Sequence, residues 1–405
     1  MKIIRSGLQA ARPEMYVSKC VSKNHLMCGP RTLDAKNYDK IWVVAVGKAG
    51  DSMAKAFCKI ISAAGGIVVI PKNYDSVFNS KKFQIIKAGH PIPDKNSVLA
   101  AKKISQLLGK MGQNDLVVFL ISGGSSSLVC APLGITLEQK IKTTQILLDS
   151  GASISEINAI RKHLSGVKGG KILASLRCTA ISYVMSDVVS DDLGSIGSGI
   201  VYSDKTTFSD CLRIIAKYKL QAKLPKSVLI QLHKGAQGKI AETPKRPKIP
   251  NQIIASNSDC LDVMEKTAKK LGYKVLVHPK LTGDVALAAN KILKLSNSKK
   301  NCILFGGETT VQVTGNGKGG RNQQLVLHLL PKLAGKTAAS IGTDGIDGNT
   351  KDAGAIFSGS MNYDTIKSYL QNNDSNSFFS KHGGLIRTGP THTNLLDIGV
   401  VLKHL

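Results

Sequence analysis

The chain has 405 residues, 42% of them hydrophobic, and a formal net charge of +28 from 55 basic against 27 acidic side chains. That length predicts two domains, and that hydrophobic content excludes a disordered protein. No apolar run reaches the ~18 residues of a membrane span, and only 5% aromatics, with no stacking motif among dispersed lysines, argue against a nucleic-acid binder.

The basic excess reads as a solvated surface, with short clusters such as Lys245-Arg246-Pro247-Lys248, that helps draw in anionic substrates. Eight cysteines without a C-x-x-C motif read as reduced, core-filling residues, and the scattered histidines give no structural zinc site. The N-terminus has no apolar signal core or cleavage site. It predicts an amphipathic helix (Ile3, Ile4, Leu8) ending near Pro13, in a cytoplasmic protein.

Ile41–Val46 then reads as a buried parallel strand, short, apolar and β-branched. It runs into Gly47-Lys48-Ala49-Gly50 and a helix with Met53, Ala54, Ala56, Phe57 and Ile60 inward. Strand, glycine turn and helix make a phosphate-site geometry in which Lys48 can reach a transferring phosphoryl group, although the spacing is not a Walker A loop. A plain lysine at a tight turn is the alternative. Gly65–Ile70 is the next strand, followed by polar loop and the stiff turn Ala88–Asp94 before a helix around Ala100–Leu108. A strand over Asp115–Ile121 ends in Ser122-Gly123-Gly124-Ser125-Ser126-Ser127, whose hydroxyls and amides predict an anion cradle. G-x-S-x-G is not met, so binding is expected there and not a serine nucleophile.

Helices over Ile135–Leu148 and Ser155–Leu164 close on the basic run Arg161–Gly170, which either binds a carboxylate or phosphate or caps a helix end. Ala180–Met185 is a strand ending in Ser186-Asp187-Val188-Val189-Ser190-Asp191-Asp192, where Asp187 and Asp191 suit Mg²⁺ binding or proton abstraction, or cap the next helix. Strand–helix alternation to about Leu220 predicts a doubly wound, Rossmann-like sheet over residues 1–234. The Lys/Pro-rich stretch 235–250 reads as a linker to a second α/β domain over 251–405, opening on a β-α-β unit (Ile253–Ser256, Leu261–Leu271, Lys274–Val277).

The stretch Gly306–Gln324 holds six glycines, Glu308 and Arg321 between the apolar runs Cys302–Phe305 and Leu325–Leu330. Glycine amides and the positive end of the following helix predict an anion site, with Arg321 as a planar charged fork. Gly315, Gly317 and Gly320 also satisfy G-x-G-x-x-G, with Asp344 about 20 residues on as a ribose-binding acid, which keeps a dinucleotide site open. Ala338–Ile341 leads into Gly342–Gly348, and Thr388–Asn394 precedes a strand over Ile398–Leu402.

Taken together the motifs VGKAG, AGHPIPD, LISGGSSSL, EINAIRKHLSGVKGG, MSDVVSDDL, GGETTVQVTGNGKGGRNQQ, GTDGIDG and TGPTHTN run nearly end to end in one order. The chain resembles the class II glycerate 2-kinases, whose C-terminal part is the MOFRL domain. The resemblance implies two α/β domains facing a cleft with the active site between them, ATP-dependent phosphorylation of D-glycerate at the 2-hydroxyl, and Mg²⁺ or another divalent cation. Lys48 and Arg321 would balance the phosphoryl charge, and Asp187 would orient the hydroxyl or hold metal with Asp191. Gly47, Ser122, Gly123, Gly124, Ser125 and Ser126, with Glu308, Gly317, Gly319, Gly320 and Asn322, would hold phosphates and the glycerate carboxylate, and Asp344 and Asn394 would face the cleft. Which loop takes ATP is left open, as is a monomer or a homodimer. The alternative is an NAD(P)H-dependent hydroxypyruvate reductase. The chain departs from the family at Ser125 and His392, where glycine is usual, at Gln324, where glutamate is usual, and after Ser198, where Gly-Pro is usual.

Overall fold

The structure, a computed structural model, describes residues 1–404. The chain divides into two compact units, one of Pro13–Met185 with Asp191–Ile254, the other of Met1–Arg12, Ser186–Ser190 and the chain from Ala255 on.

The first unit is built on strands β1 (Ile41–Val46), β2 (Gly65–Pro71), β3 (Phe83–Ala88), β4 (Leu116–Ile121), β5 (Thr179–Met185) and β6 (Asn251–Ala255), in the sheet order β3-β2-β1-β4-β5-β6. Strands β1 to β5 pair with their neighbours in parallel. This is the doubly wound dinucleotide-fold order, reversing between β1 and β4. The central strands are legible because both faces are covered, so β1 and β4 are almost uninterrupted Val, Ile, Leu and Phe. β3 (FQIIKA), expected as polar loop, is an outer strand whose exposed Gln84 and Lys87 break the apolar run.

The second unit carries a mixed sheet of β7 (Val275–Asp284), β8 (Cys302–Thr310), β9 (Lys336–Gly342), β10 (Gly354–Ser358), β11 (Leu385–Ile386) and β12 (Asp397–Lys403), ordered β11-β10-β9-β12-β8-β7. Only β7 and β8 pair in parallel; the other pairs are antiparallel. Helices 285–296, 321–329 and 375–382 bury Ile292, Val326, Leu329, Phe378 and Phe379 in one core with Phe305 and Val401.

Two expected boundaries are corrected. The first helix, Lys2–Ala10, buries Ile3, Ile4 and Ala10 in the second unit, where Gly7 lets Ile398 and Met264 approach; it is not part of a domain 1–234. Residues 235–250 are no linker: Thr243 bonds Asp204, Lys248 donates to the carbonyls of Leu173 and Leu176, and the chain continues into β6 beside β5. The expected β-α-β unit is therefore split, with β6 in the first sheet and β7 in the second.

Candidate functional site

Because the strand order reverses between β1 and β4, their carboxyl ends are where a doubly wound sheet takes its ligand. Both predicted glycine centres of the first unit sit there and are tied together. Ser122 N–H donates to Val46, Lys48 N–H to Gly123 (2.8 Å), and Ser122 Oγ accepts the Ala49 N–H (3.0 Å). Gly47 has φ +133°, and a Cβ there would lie 2.1 Å from Ser122 Oγ, so only glycine permits this junction. A Cβ on Gly124 would meet the His90 ring at 2.9 Å and the Lys48 Cγ at 3.6 Å, so Lys48, His90 and Gly124 share one spot. His90 was not singled out in sequence; its turn showed stiffness but not where the ring points.

Beyond Gly124 the loop enters a polar ring. Ser126 Oγ accepts from the Arg161 guanidinium and from Lys168 Nζ (2.9 Å) and lies 2.9 Å from Ser198 Oγ, which donates to Asn158 Oδ1 (3.0 Å). Arg161 also donates to Asn158 Oδ1 (3.2 Å), and Lys168 to the Ser126 carbonyl. Burial drives the Lys168 ammonium well below its ordinary pKa, with Arg161 and Lys140 adding to the effect. Neighbouring Ser125 Oγ is buried with no protein hydrogen-bond partner. Neither Arg161 nor Lys168 was named as a site residue from sequence, where the run Arg161–Gly170 had two open readings. Those readings divide by residue: Lys140 and Lys171 cap the carbonyls of Arg161, Lys162, Leu164 and Ser165, whereas Arg161 and Lys168 turn to Ser126.

Asp187 follows the end of β5 and is half-buried; Asp191 sits in the turn beyond it with φ +54°. Among the described residues no three His, Cys, Asp or Glu side chains converge as a protein-only metal cage. Asp187 is a carboxylate of the kind Mg²⁺ takes one or two of, completing its shell with phosphate oxygens and water.

In the second unit the glycine-rich stretch differs from expectation. Its first part continues β8, and a bulge between Phe305 and Gly307 re-aims the strand, bringing Glu308 to Arg321. Arg321 donates bidentately to Asp397 (2.6 and 3.1 Å) and to Glu308 (2.6 Å). Burial alone would lower its pKa, but Asp397 and then Glu308 outweigh that and raise it. Asp397, the first residue of the apolar strand β12, was missed. Glu308 is thus paired with Arg321.

The loop amides expected to cradle phosphate are engaged within the chain. Gly315 donates to Asn373 Oδ1, Gly317 to the Asn372 carbonyl, Lys318 to Asp374 Oδ1 and Gly319 to Asn349 Oδ1. The helix 321–329 already holds an anion at its start: Asp347 accepts the N–H groups of Asn322 (3.0 Å) and Gln323 (2.9 Å), and Gly320 leaves room for it. Burial pushes Asp347 up to about 6 against the pull of those amides. Asn322 is buried and links Asp347 to Ser340. Asp344 accepts the Ile346 N–H, and Asn394 accepts the Leu396 N–H, each bracing its own loop. Gln324 donates to the Leu370 carbonyl, a bond that glutamate could not make. His392 has φ +54°, the left-handed conformation glycine takes more readily.

These features define a two-unit α/β protein with a Rossmann-ordered N-terminal sheet and a MOFRL-type C-terminal half. Residues 1–233 match a domain of unknown function, DUF4147, and residues 301–397 match the MOFRL family. A glycerate 2-kinase of Pyrococcus horikoshii is 36% identical, covering 99% of this chain and 96% of that protein. The crystal structure of a glycerate kinase from Thermotoga maritima superposes with a TM-score of 0.83 at 35% identity, covering 99% of this chain and 98% of that one. A relative from Agrobacterium vitis, 36% identical over 89% of this chain and 86% of its own length, carries the provisional name hydroxypyruvate reductase. The chain belongs to the glycerate 2-kinase family.

Proposed function

We propose that this chain transfers the γ-phosphoryl group of ATP to the 2-hydroxyl of D-glycerate, giving 2-phosphoglycerate and ADP. The observation that carries the reading is the junction of Gly47-Lys48 with Ser122–Gly124 at the switch point of a doubly wound sheet, in a chain 36% identical to a glycerate 2-kinase. Phosphoryl transfer needs positioning and charge balance more than covalent help. The acceptor oxygen forms the new bond to phosphorus as the bond to the departing ADP oxygen breaks. Asp187 orients the acceptor hydroxyl and takes its proton, while Lys48 balances charge on the transferring group. Arg321, held at three points by Asp397 and Glu308, presents its remaining N–H donors in a fixed direction. Mg²⁺, held by Asp187 with or without Asp191, would neutralise phosphate charge. The expected setting is a cytoplasmic monomer or homodimer.

A hydroxypyruvate reductase would need NAD(P)H at the Gly315–Gly320 loop. The engaged amides of that loop and the Asp347 carboxylate at the helix start argue against a pyrophosphate there. The test is a coupled assay with MgATP and D-glycerate, resolving 2- from 3-phosphoglycerate. Magnesium-dependent 2-phosphoglycerate is expected; no ADP, together with NAD(P)H oxidation by hydroxypyruvate, would overturn the kinase reading.

A further inference from the structure

The ring around Ser126 fixes its own hydrogen-bond polarity. Ser198 gives its proton to Asn158 Oδ1, so Ser126 gives its proton to Ser198 and accepts with both lone pairs, one from Arg161 and one from Lys168. Two cations therefore converge on neutral groups alone. Among the described residues no carboxylate forms a salt bridge with either. Lys168, Asn158 and Ser198 are all but inaccessible, whereas Ser126 and Arg161 keep some exposure, so the charge opens to solvent on the Ser126 side. Buried cations without a counter-charge are costly, and nearby Lys140 adds positive charge. Elsewhere Lys162 carries Asp204 (3.2 Å) and Arg321 carries Asp397, whereas the buried, carboxylate-free Lys140 spends its ammonium on helix-end carbonyls, a use that Arg161 and Lys168 do not share. Three donors of the Arg161 guanidinium and one of the Lys168 ammonium remain beyond the bonds named, enough for a planar carboxylate.

We propose that Arg161 and Lys168 receive the carboxylate of the acceptor, so that the loop Ser122–Ser126 takes glycerate by its acid end. This rests on the kinase reading above and adds which end of which substrate lies there. The carboxylate and the 2-hydroxyl sit on adjacent carbons of glycerate. Lys48 lies against Gly124 in the same loop, so an acid end at Ser126 directs the hydroxyl toward the lysine assigned to the phosphoryl group. A neutral analogue, glyceramide, would leave the cations uncompensated and be rejected.

The test measures KM for D-glycerate and for ATP, with direct calorimetric binding of D-glycerate, on the full chain and on Arg161→Gln, Arg161→Lys and Lys168→Gln. Losing one charge-assisted hydrogen bond predicts a rise of roughly tenfold to a hundredfold in KM and Kd for glycerate in Arg161→Gln, with the KM for ATP unchanged. Arg161→Lys, which keeps the charge and loses the fork, should recover part of that affinity; it guards against a misfolded Lys168→Gln. Unchanged glycerate binding in Arg161→Gln, or a raised KM for ATP in its place, overturns the proposal even if the wild type is a kinase. A wild type that makes no ADP yet binds glycerate through Arg161 sinks the kinase reading and leaves the carboxylate seat standing.

Discussion

Arg161 and Arg321 end a polar chain in different units, and they are balanced in opposite ways. Arg321 faces two carboxylates, so its local charge sums to minus one and its fork is fixed before any substrate arrives. Arg161 faces a serine and an asparagine beside Lys168, with no carboxylate, so its counter-charge must come from elsewhere. A cation that orients can be neutralised by its own protein; a cation that binds an anion gains from being left uncompensated. The same side chain therefore has two physical roles here, and substitutions separate them.

The largest expected effect is on chemistry. Lys48→Ala should cut kcat by about 10²–10³-fold, as the loss of a charge-stabilising donor does, with the fold intact. Near-normal turnover in steady-state assays would remove Lys48 from the mechanism. Arg321→Ala should also lower kcat, and it should cost stability as well. Removing the guanidinium leaves Asp397 buried opposite Glu308. We expect about 2–3 kcal/mol of lost stability, below the cost for a fully buried pair because Arg321 is 34% exposed. Urea denaturation decides it, and Arg161→Gln is the contrast: removing one of two uncompensated cations should leave stability unchanged or raise it.

Asp347 extends the comparison to pH. Its folded pKa lies near 6, above the ordinary carboxyl value, so the folded state holds its proton longer than the unfolded state does. Its contribution to stability is therefore greatest below about pH 4 and falls as pH rises toward 6, by up to about 2–3 kcal/mol, then stays level. Asp210, lowered by its Thr207 cap and by Arg213, contributes with the opposite sign. The difference in unfolding free energy between wild type and Asp347→Asn should shrink from pH 4 to pH 6; a flat difference would show that the two amides hold Asp347 ionised.

Much of this was legible in sequence where a local pattern carries the physics. β1 and β4 are buried on both faces, so their apolar runs were readable almost to the residue, and the glycines after them marked the junction that only Gly47 permits. The doubly wound class of the first sheet followed from strand–helix alternation, whereas its strand order and the antiparallel pairs of the second sheet did not. What sequence could not supply was partnership at a distance. Asp397 pairs with Arg321 across 76 positions and is disguised by an apolar strand. The amides of Gly315–Lys318 looked available because their acceptors, Asn372 to Asp374, lie more than 50 positions away. Glycine there serves close backbone packing, which the same pattern encodes as readily as a phosphate loop.

The smallest effect concerns the family departure at Ser125. Its hydroxyl is buried without a protein partner, where a Cβ on Gly197 would lie 2.2 Å from it. An unsatisfied buried hydroxyl costs about 1–3 kcal/mol relative to a methyl group that needs no partner. Ser125→Ala should therefore be neutral or stabilising by about 1 kcal/mol in denaturant titrations, in contrast to Ser126→Ala, which removes the acceptor shared by Arg161 and Lys168. If Ser125→Ala weakened glycerate binding as much as Ser126→Ala, the hydroxyl would belong to the carboxylate seat, and the uncompensated region would extend one residue closer to Lys48. If it changed stability alone, the seat begins at Ser126 and the loop before it serves the transferring group.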